Sequence, residues 1–363
     1  MMRKTAARKG PVPPPGGEGR SGMRKRGVLA AILAMAMVLS GCGGRDPIPD
    51  DGPVEFEAQT WTLVTSGGEG TAERQAAEAF AERLFERTHG TVKAECVTLR
   101  ELEGDYESPV DALRAGAADI AWATAEAFAA ADPRLDAAGL PFLFLSREEA
   151  EAAMDGDGGA ALGEILRENG FQCLGIGTEG FRCLTSSETA IEGLGSLKGL
   201  RVRTGGGDVV EKSFAAWGAE TVDAPWPGVY TALETGIYDA QEELLPTICD
   251  ASLQKVQKYL CQWPAFYSAA YLCMDGALYD SLSELLAGIA MDCGAEAAAV
   301  QRQASLAAEQ EDIAAWKAVR GNRVTSLSEE ALAEFREASR SVWDAFADQY
   351  PGELVARLSG GEG

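Results

Sequence analysis

Hydrophobic and polar positions change their period several times along the chain. They alternate in FEAQTWTLVTS (residues 56–66), which predicts a β-strand. In residues 71–89 apolar side chains recur every three or four positions, which predicts a helix that ends before Gly90. Residues 91–99 predict a second strand, and a helix and a short apolar strand follow up to residue 124. This order of strands and helices is typical of an α/β lobe.

A second set of strands and helices predicts a second α/β lobe. FQCLGIGTEGFRCLTSS (residues 171–187) predicts two strands, and LKGLRVRT (residues 197–204) predicts another. Residues 264–275 predict a strand that returns to the first sheet. Residues 280–317 keep a helical apolar stripe, and a helix of this length, at about 1.5 Å per residue, can cross both lobes. Two lobes joined in this way leave a cleft, where ligands preferentially bind.

Glycines interrupt the helical pattern between these two sets of elements. A helix that begins at Arg147 is predicted to stop at DGDGG (residues 155–159). Residues 160–169 predict the next helix, and Gly170 follows it. We therefore expect two short helices separated by about five residues.

The N-terminal residues predict export from the cytoplasm. Three basic residues (24–26) precede an apolar segment (27–39) that is too short to span a membrane comfortably. Leu39-Ser40-Gly41-Cys42 resembles the bacterial lipobox, in which the cysteine becomes the lipidated first residue. We predict that residues 1–42 are a signal peptide with a lipobox and that residues 43–54 are a tether, with an uncleaved anchor as the alternative. The protein would then be extracytoplasmic and lipid-anchored at Cys42 to the bacterial membrane.

The charge of the chain limits its partners. The formal net charge is −24, and because residues 1–42 hold eight bases and one acid, the remaining chain carries −31. This excess of acids argues against nucleic acid and against anionic membrane surfaces as partners. An anionic ligand would need a local basic site. LKGLRVRTGGG (residues 197–207) offers one, since Arg201 and Arg203 alternate on one strand face.

The cysteines and the single histidine give no indication of a cofactor. Seven cysteines follow Cys42, at positions 96, 173, 183, 249, 261, 273 and 293. The count is odd, so at least one thiol is free unless it bonds outside the chain, and a pairing of Cys173 with Cys183 is left open. There is no CxxC motif, and His89 is the only histidine, which argues against a zinc site. We predict no metal and no cofactor.

Seven segments occur in an order that resembles one protein family from about Trp61 to Leu358: FAERLFERTHGTVK, ALRAGAADIAWAT, LPFLF, GFRCLTSS, LKGLRVR, VYTALETGIYDAQEE and QKYL. They resemble the extracytoplasmic solute-binding proteins of tripartite ATP-independent periplasmic (TRAP) transporters. The resemblance implies an α/β, bilobal, periplasmic-binding-protein-like fold with two mixed-sheet lobes joined by crossing strands and a long helix. It also implies that hinge closure captures a small organic anion for delivery to membrane permease subunits.

The same resemblance gives expected lobe boundaries and leaves two alternative roles open. Lobe 1 would comprise residues 55–178 and about 266–305, and lobe 2 residues 179–265 and about 306–360. The alternatives are a sensor that presents its ligand to a receptor and a binding protein of an ATP-driven importer, both on a similar fold.

The resemblance also assigns ligand-binding residues. It places Arg203 on the ligand carboxylate, because this arginine matches the last basic position of the family's KG-hydrophobic-K/R-hydrophobic-R strand. A guanidinium suits the role because it binds a carboxylate through two parallel hydrogen bonds and stays charged. Arg182, in a Gly-x-Arg strand, would be a second contact, and Trp226 would cover the apolar body of the ligand. Arg203 is preferred over Arg201 because it lies nearer the carboxyl end of the strand. The alternatives are a solvated strand face for Arg203 and Arg201 and a core position for Trp226.

The chain departs from the family pattern at two positions, Gly228 and Glu243. Gly228 replaces a glutamate, and Glu243 replaces an asparagine. A carboxylate at 243 would repel a bound carboxylate unless it pairs with an arginine or accepts an amino or hydroxyl group of the ligand. A simple dicarboxylate is therefore disfavoured, and a monocarboxylate with polar substituents is preferred. In lobe 1, Trp122 and Glu107 would line the cleft, with packing or loop exposure as the alternative.

The sequence gives little indication of catalysis. Glu242 and Glu243 are adjacent on an extended chain and point in opposite directions, which makes a poor acid–base pair. His89 precedes a glycine that ends a helix, which favours a surface position over a general base. The chain has no Gly-x-Ser-x-Gly motif. We predict that the protein is not an enzyme.

Overall fold

The computed structural model describes residues 56–205 and 207–360. The predicted signal peptide, with Cys42, and the predicted tether lie outside the described residues. The strands are β1 (Gln59–Thr65), β2 (Val92–Thr98), β3 (Ile120–Thr124), β4 (Phe171–Phe181), β5 (Cys183–Ser186), β6 (Arg201–Thr204), β7 (Glu220–Asp223), β8 (Ala240–Glu243), β9 (Tyr259–Gln262), β10 (Tyr267–Asp275) and β11 (Arg323–Ser326). The helices are α1 (Ala72–Arg87), α2 (Pro109–Arg114), α3 (Ala125–Ala129), α4 (Arg147–Asp155), α5 (Asp157–Glu168), α6 (Asp208–Ala216), α7 (Val229–Glu234), α8 (Leu245–Asp250), α9 (Gly276–Ser281), α10 (Glu284–Ala318), α11 (Glu329–Phe346) and α12 (Gly352–Leu358).

The strands form two mixed sheets. The first has the order β2-β1-β3-β10-β4, in which β10 runs antiparallel to both of its neighbours. The second has the order β11-β9-β5-β8-β6-β7, in which β5 runs antiparallel to β8 and β9. We call the parts of the chain built on these sheets the first and second lobes. The predicted fold class is confirmed, whereas the exact lobe boundaries stay a prediction.

Two of the crossings of the chain between the sheets lie next to each other. The first crossing lies between β4 and β5, where Arg182 is the single connecting residue. The second lies between β9 and β10 and includes Phe266. The Arg182 backbone N–H donates to the Phe266 carbonyl at 2.9 Å, so the two crossings are joined by a hydrogen bond.

Helix α10 runs along both lobes, as its length predicted. It packs against α1 and β4 in the first lobe and against α8 and β11 in the second. Two glycines bring it close to β4: an added Cβ at Gly294 would lie 2.4 Å from the Leu174 carbonyl oxygen, and one at Gly175 would lie 2.5 Å from the Gly294 oxygen. Side chains at these two positions would push the helix off the sheet.

Aromatic side chains from both halves of the chain pack together in the core. Trp217 lies 5.3 Å from Trp263 and 5.3 Å from Phe335, measured between ring centroids. Phe142, which follows the first-lobe helices α2 and α3, lies 5.7 Å from Trp217. These edge-on and tilted contacts tie the second crossing to α6 and α11.

The predicted gap between two helices is shorter than expected. Helix α4 ends at Asp155 and α5 begins at Asp157, so Gly156 alone separates them. The glycines that follow lie inside α5, where an added Cβ at Gly159 would be only 1.9 Å from the Met154 carbonyl oxygen. These glycines therefore allow the backbone to pack closely at the turn between α4 and α5. The sequence pattern had predicted a longer gap between the two helices.

All seven cysteines after Cys42 have free thiols in the structure, so Cys173 is not bonded to Cys183. Within the described ranges, no helix is both long and apolar enough to cross a membrane.

Candidate functional site

The antiparallel pairing of β5 with β8 places two carboxylates beside Arg182. Its register sets Cys183 opposite Glu243 and Leu184 opposite Glu242. Arg182 donates from Nε to Glu242, and its Nη2 lies 3.2 Å from Glu242 Oε2 and 3.0 Å from Glu243 Oε1. Although neighbours on a strand point to opposite faces, both carboxylates reach this guanidinium because Glu243 is the last residue of β8.

Burial and charge oppose each other in this ion pair. Glu242 is completely buried, and its burial raises the pKa of its carboxyl, while the Arg182 charge lowers it. The Arg182 side chain is only 12% exposed. Burial lowers the pKa of Arg182, but Glu242 and Glu243 outweigh this effect, so the net pKa is raised and the guanidinium stays charged.

Arg203 reaches the same carboxylate from β6. Its side chain is 3% exposed, and its Nη1 lies 3.7 Å from Glu243 Oε2. Its Nε donates to the Ala224 carbonyl at 2.9 Å. The guanidinium carbon lies 5.1 Å from the centre of the Trp226 ring, a cation–π distance. Arg182, Arg203, Glu242 and Glu243 together are called the arginine cluster below.

Arg201 and Arg203 are two residues apart on the same strand, but their side chains differ in exposure and in their partners. The Arg201 side chain is 43% exposed and forms an ion pair with Asp239, with Nη2 and Oδ1 2.7 Å apart. Arg201 therefore has the solvated position that was the alternative for both arginines, while Arg203 points into the protein.

Trp226 and Gly228 shape the loop before α7. Trp226 is half-buried, and the contact of its ring is with Arg203. Gly228 caps α7 with a φ of 95°, in the left-handed region that favours glycine. This conformation accounts for a glycine at position 228.

Two carboxyl groups of the first lobe approach the arginine cluster, and neither is among the site residues predicted from the sequence. Glu126, on α3, is 57% exposed, and its Oε2 lies 3.8 Å from Arg182 Nη1. Asp136 lies in a 3-10 turn (Pro133–Gly139), and its burial raises the pKa to about 7, with a further increase from Glu126 and a decrease from Arg182. Glu126 follows the carboxyl end of β3, a location that could have indicated it; Asp136 lies in a loop without such a mark.

A cavity of about 260 Å³ lies between the lobes beside Arg182. Glu126 and Asp136 line it from the first lobe, and the start of α6 (207–210) lines it from the second. Ser268 of β10 also contributes to its wall. Arg182 faces this cavity and connects it, through Glu243, to Arg203. We call it the cleft cavity.

Trp122 and Glu107 are not brought to the arginine cluster. Trp122 is completely buried on β3, and its ring lies so close to Gly177 that an added Cβ there would be 2.8 Å from Cζ2. Glu107 is exposed in the loop before α2. These positions match packing and loop exposure, the alternatives to ligand contact. His89 is exposed.

In residues 56–205 and 207–360, no group of three or more His, Cys, Asp or Glu side chains is arranged to hold a metal ion. The arginine cluster offers charged hydrogen bonds, with two guanidinium groups that donate and several carboxyl groups that accept.

Residues 63–349 match the family model DctP, which is described as bacterial extracellular solute-binding protein, family 7. The 2,3-diketo-L-gulonate-binding periplasmic protein YiaO of Escherichia coli is 28% identical over 276 residues, which cover 76% of this chain and 83% of YiaO. The sialic acid-binding periplasmic protein SiaP of Vibrio cholerae is 24% identical over 303 residues, which cover 83% and 92% of the two chains.

Among solved structures, the chain is similar to a TRAP periplasmic solute-binding protein from Ochrobactrum anthropi. The two share 29% sequence identity and a TM-score of 0.79, and the match covers 84% of this chain and 95% of that one. In that structure the C-terminus of the protein is bound in the ligand-binding pocket.

Proposed function

Because the chain belongs to family 7 of the bacterial extracellular solute-binding proteins, we propose that it captures a small organic acid outside the cytoplasm and delivers it to a TRAP-type membrane permease. The observation that carries this proposal is the arginine cluster beside the cleft cavity. A chain of this acidity needs a local basic site to bind an anion, and two nearly buried guanidinium groups beside a cavity provide one.

Arg203 is the proposed carboxylate receptor. Its Nε is held by the Ala224 carbonyl and its face is covered by Trp226, so the orientation of the guanidinium is fixed before ligand binds. Such preorganisation lowers the entropic cost of binding. Arg182 is proposed as the second contact because it faces the cleft cavity.

Closure of the two lobes is the proposed capture step. Arg182 lies at the first crossing and approaches Glu126 of the first lobe, while the start of α6 lines the same cavity from the second lobe. A solute in this cavity contacts both lobes and therefore stabilises the arrangement in which they are close together.

Glu243 restricts the proposed solute. Its carboxylate lies between the two arginines, where it would repel the second carboxylate of a dicarboxylic acid. We therefore propose a monocarboxylate with polar substituents. The names of two relatives refer to such acids, 2,3-diketo-L-gulonate and sialic acid.

Location follows from the family and from the N-terminal residues. Family members are extracytoplasmic, and we propose that lipidation of Cys42 anchors this chain to the membrane through the tether at residues 43–54. The family does not favour the sensor or the ATP-driven importer alternative, and we propose no catalytic step.

The experiment that tests the proposed function is a thermal-shift screen of the purified chain from residue 43 against a library of monocarboxylic and dicarboxylic acids. A solute that binds only the folded state raises the melting temperature. We expect a shift with one or a few related monocarboxylates, followed by calorimetric titration. If no acid in the library shifts the melting temperature, the proposed function is contradicted.

A further inference from the structure

The charged groups around the arginine cluster contain more acids than bases. Arg182 and Arg203 supply two positive charges, and Glu242 and Glu243 already offset them within the cluster. Glu126 then adds a third carboxylate on the first-lobe side, beside the buried carboxyl group of Asp136. The ion pairs found for the three glutamates in the described part of the chain run to Arg182 or Arg203.

A ligand that carries only a carboxylate would increase this imbalance. It would compete with Glu243 for the two guanidinium groups and would lie near the other carboxyl groups across the cleft cavity. The chain as a whole adds to the repulsion, since its net charge is −24. Recognition of a simple anion therefore requires either a proton taken up by the site or a positive charge brought by the ligand.

The cleft cavity offers a place for such a positive charge. Glu126 is more than half exposed, so its carboxylate is available to a ligand. Asp136 lines the same cavity, on the same lobe. In this cavity of about 260 Å³, Arg182 contributes a donor group, and Glu126 and Asp136 contribute acceptor groups from the first lobe.

Gly205 brings the backbone into close contact with the charged groups of the arginine cluster. An added Cβ there would lie 3.3 Å from Arg182 Nη2, 3.5 Å from Glu243 Oε2 and 3.8 Å from Arg203 Nη1. The backbone thus passes all three charged groups without a side chain that would cover them.

We infer that the solute of this protein is a zwitterion, an amino acid whose carboxylate binds the guanidinium groups of the arginine cluster and whose ammonium group binds Glu126 and Asp136. This inference rests on the proposed function and narrows its substrate class. An ammonium group donates hydrogen bonds to carboxylates and also supplies the positive charge that the site lacks. A hydroxyl group supplies only the hydrogen bonds.

The test is calorimetric titration with matched pairs that share a carbon skeleton and differ in one amino or hydroxyl group: alanine and lactate, serine and glycerate, phenylalanine and phenyllactate, and 4-aminobutyrate and 4-hydroxybutyrate. We expect the tightest ligand to be an amino acid that binds at least about tenfold more tightly than its hydroxy partner. A hydroxy acid that binds as tightly as, or more tightly than, its amino partner overturns the inference. Titration of the best ligand in buffers of different ionisation enthalpy measures the protons taken up on binding, and uptake of a proton also overturns the inference.

A pair of variants tests the position of the ammonium group. Glu126→Gln should reduce the preference for the amino partner at least about fivefold, because it removes one acceptor charge. Glu78→Gln is the matched control, since Glu78 is also 57% exposed and also pairs with an arginine, Arg74, but lies on α1. An unchanged preference in the Glu126 variant overturns the proposed ammonium site.

The outcomes also separate this inference from the proposed function. If hydroxy acids are the better ligands and Arg203→Gln abolishes their binding, the proposed function stands and the zwitterion inference fails. If amino acids bind equally well to the Arg203 variant, the assignment of Arg203 as the receptor fails. If no compound of the pairs binds and the acid library yields a ligand without an amino group, the zwitterion inference fails and the proposed function stands.

Discussion

The carboxylate of Glu243 spans two arginines: Oε1 lies 3.0 Å from Arg182 Nη2, and Oε2 lies 3.7 Å from Arg203 Nη1. A ligand carboxylate that binds these arginines must therefore share them with a carboxylate of the protein itself. Two like charges about 4 Å apart repel by up to about 4 kcal/mol at an intermediate dielectric constant. We therefore expect Glu243 to select against strongly anionic solutes.

Glu243→Gln should raise the affinity for simple anions. We expect succinate and other dicarboxylates to bind at least about tenfold more tightly to the variant than to the unmodified protein, which corresponds to about 1.4 kcal/mol. Calorimetric titration of both proteins measures this change. Equal affinities of both proteins for every dicarboxylate would show that Glu243 does not oppose the ligand.

Glu242→Gln should act on stability rather than on selectivity. Glu242 is completely buried and is the partner of Arg182 Nε, so the variant leaves a buried guanidinium with less compensation. Breaking a buried ion pair on one side costs about 3–5 kcal/mol. Chemical denaturation should therefore show a larger loss for this variant than for Glu243→Gln, whose side chain is partly exposed. The reverse order would contradict the structural role of Glu242.

Arg203→Gln should remove most ligand binding while the protein remains folded. We expect an affinity loss of about 100-fold or more, or about 2.7 kcal/mol, because a charged hydrogen-bonding pair with the ligand is lost. Arg201→Gln is the matched control on the same strand, since this residue is half exposed and pairs with Asp239. Similar affinities of the two variants would contradict a special role for Arg203.

Trp226→Ala should weaken binding to a smaller extent. The ring lies over the Arg203 guanidinium at 5.1 Å and helps to fix its orientation. A contact of this kind contributes about 0.5–2 kcal/mol, so we expect an affinity loss of about 3- to 30-fold. Trp226→Phe keeps an aromatic face and should retain most of the affinity. If the phenylalanine and alanine variants behaved alike, the ring would not be acting on Arg203.

Much of the fold could be predicted from the sequence because its information is local. The alternation around Arg203 predicted the strand, and the long apolar stripe predicted α10. The number of residues between α4 and α5 was predicted incorrectly, because glycines in a buried turn have the same sequence pattern as glycines in a loop. What distinguishes them is the contact of Gly159 with the Met154 carbonyl, which depends on three-dimensional packing.

The composition of the candidate site could be predicted only in part, because its contacts join distant parts of the chain. The register of β5 against β8 sets Arg182 beside Glu242, 60 residues away in sequence. The approach of Glu126 and Asp136 depends on how the crossings position the lobes. Trp122 was predicted to line the cleft, but the structure buries it in the core. The sequence does not separate these two positions, because an aromatic residue in an apolar strand gives the same hydrophobic pattern in both.

Asp136 should make the stability of the protein depend on pH. Burial raises its pKa to about 7 in the folded state, above the ordinary value of 3.8. The folded state therefore binds this proton more tightly than the unfolded state, and the resulting stabilisation is complete below about pH 4 and is lost as the pH rises through about 7. In Asp136→Asn the contribution is absent, so between pH 5 and 8 the unfolding free energy of this variant should fall less steeply than that of the unmodified protein.

Chemical denaturation at several pH values measures how the unfolding free energy changes with pH. Asp348→Asn controls for the loss of a charge alone, because Asp348 is exposed and lies beside Gln349 of the cleft cavity. Parallel pH profiles for the unmodified protein and Asp136→Asn would contradict a carboxyl group that is protonated in the folded state near neutral pH.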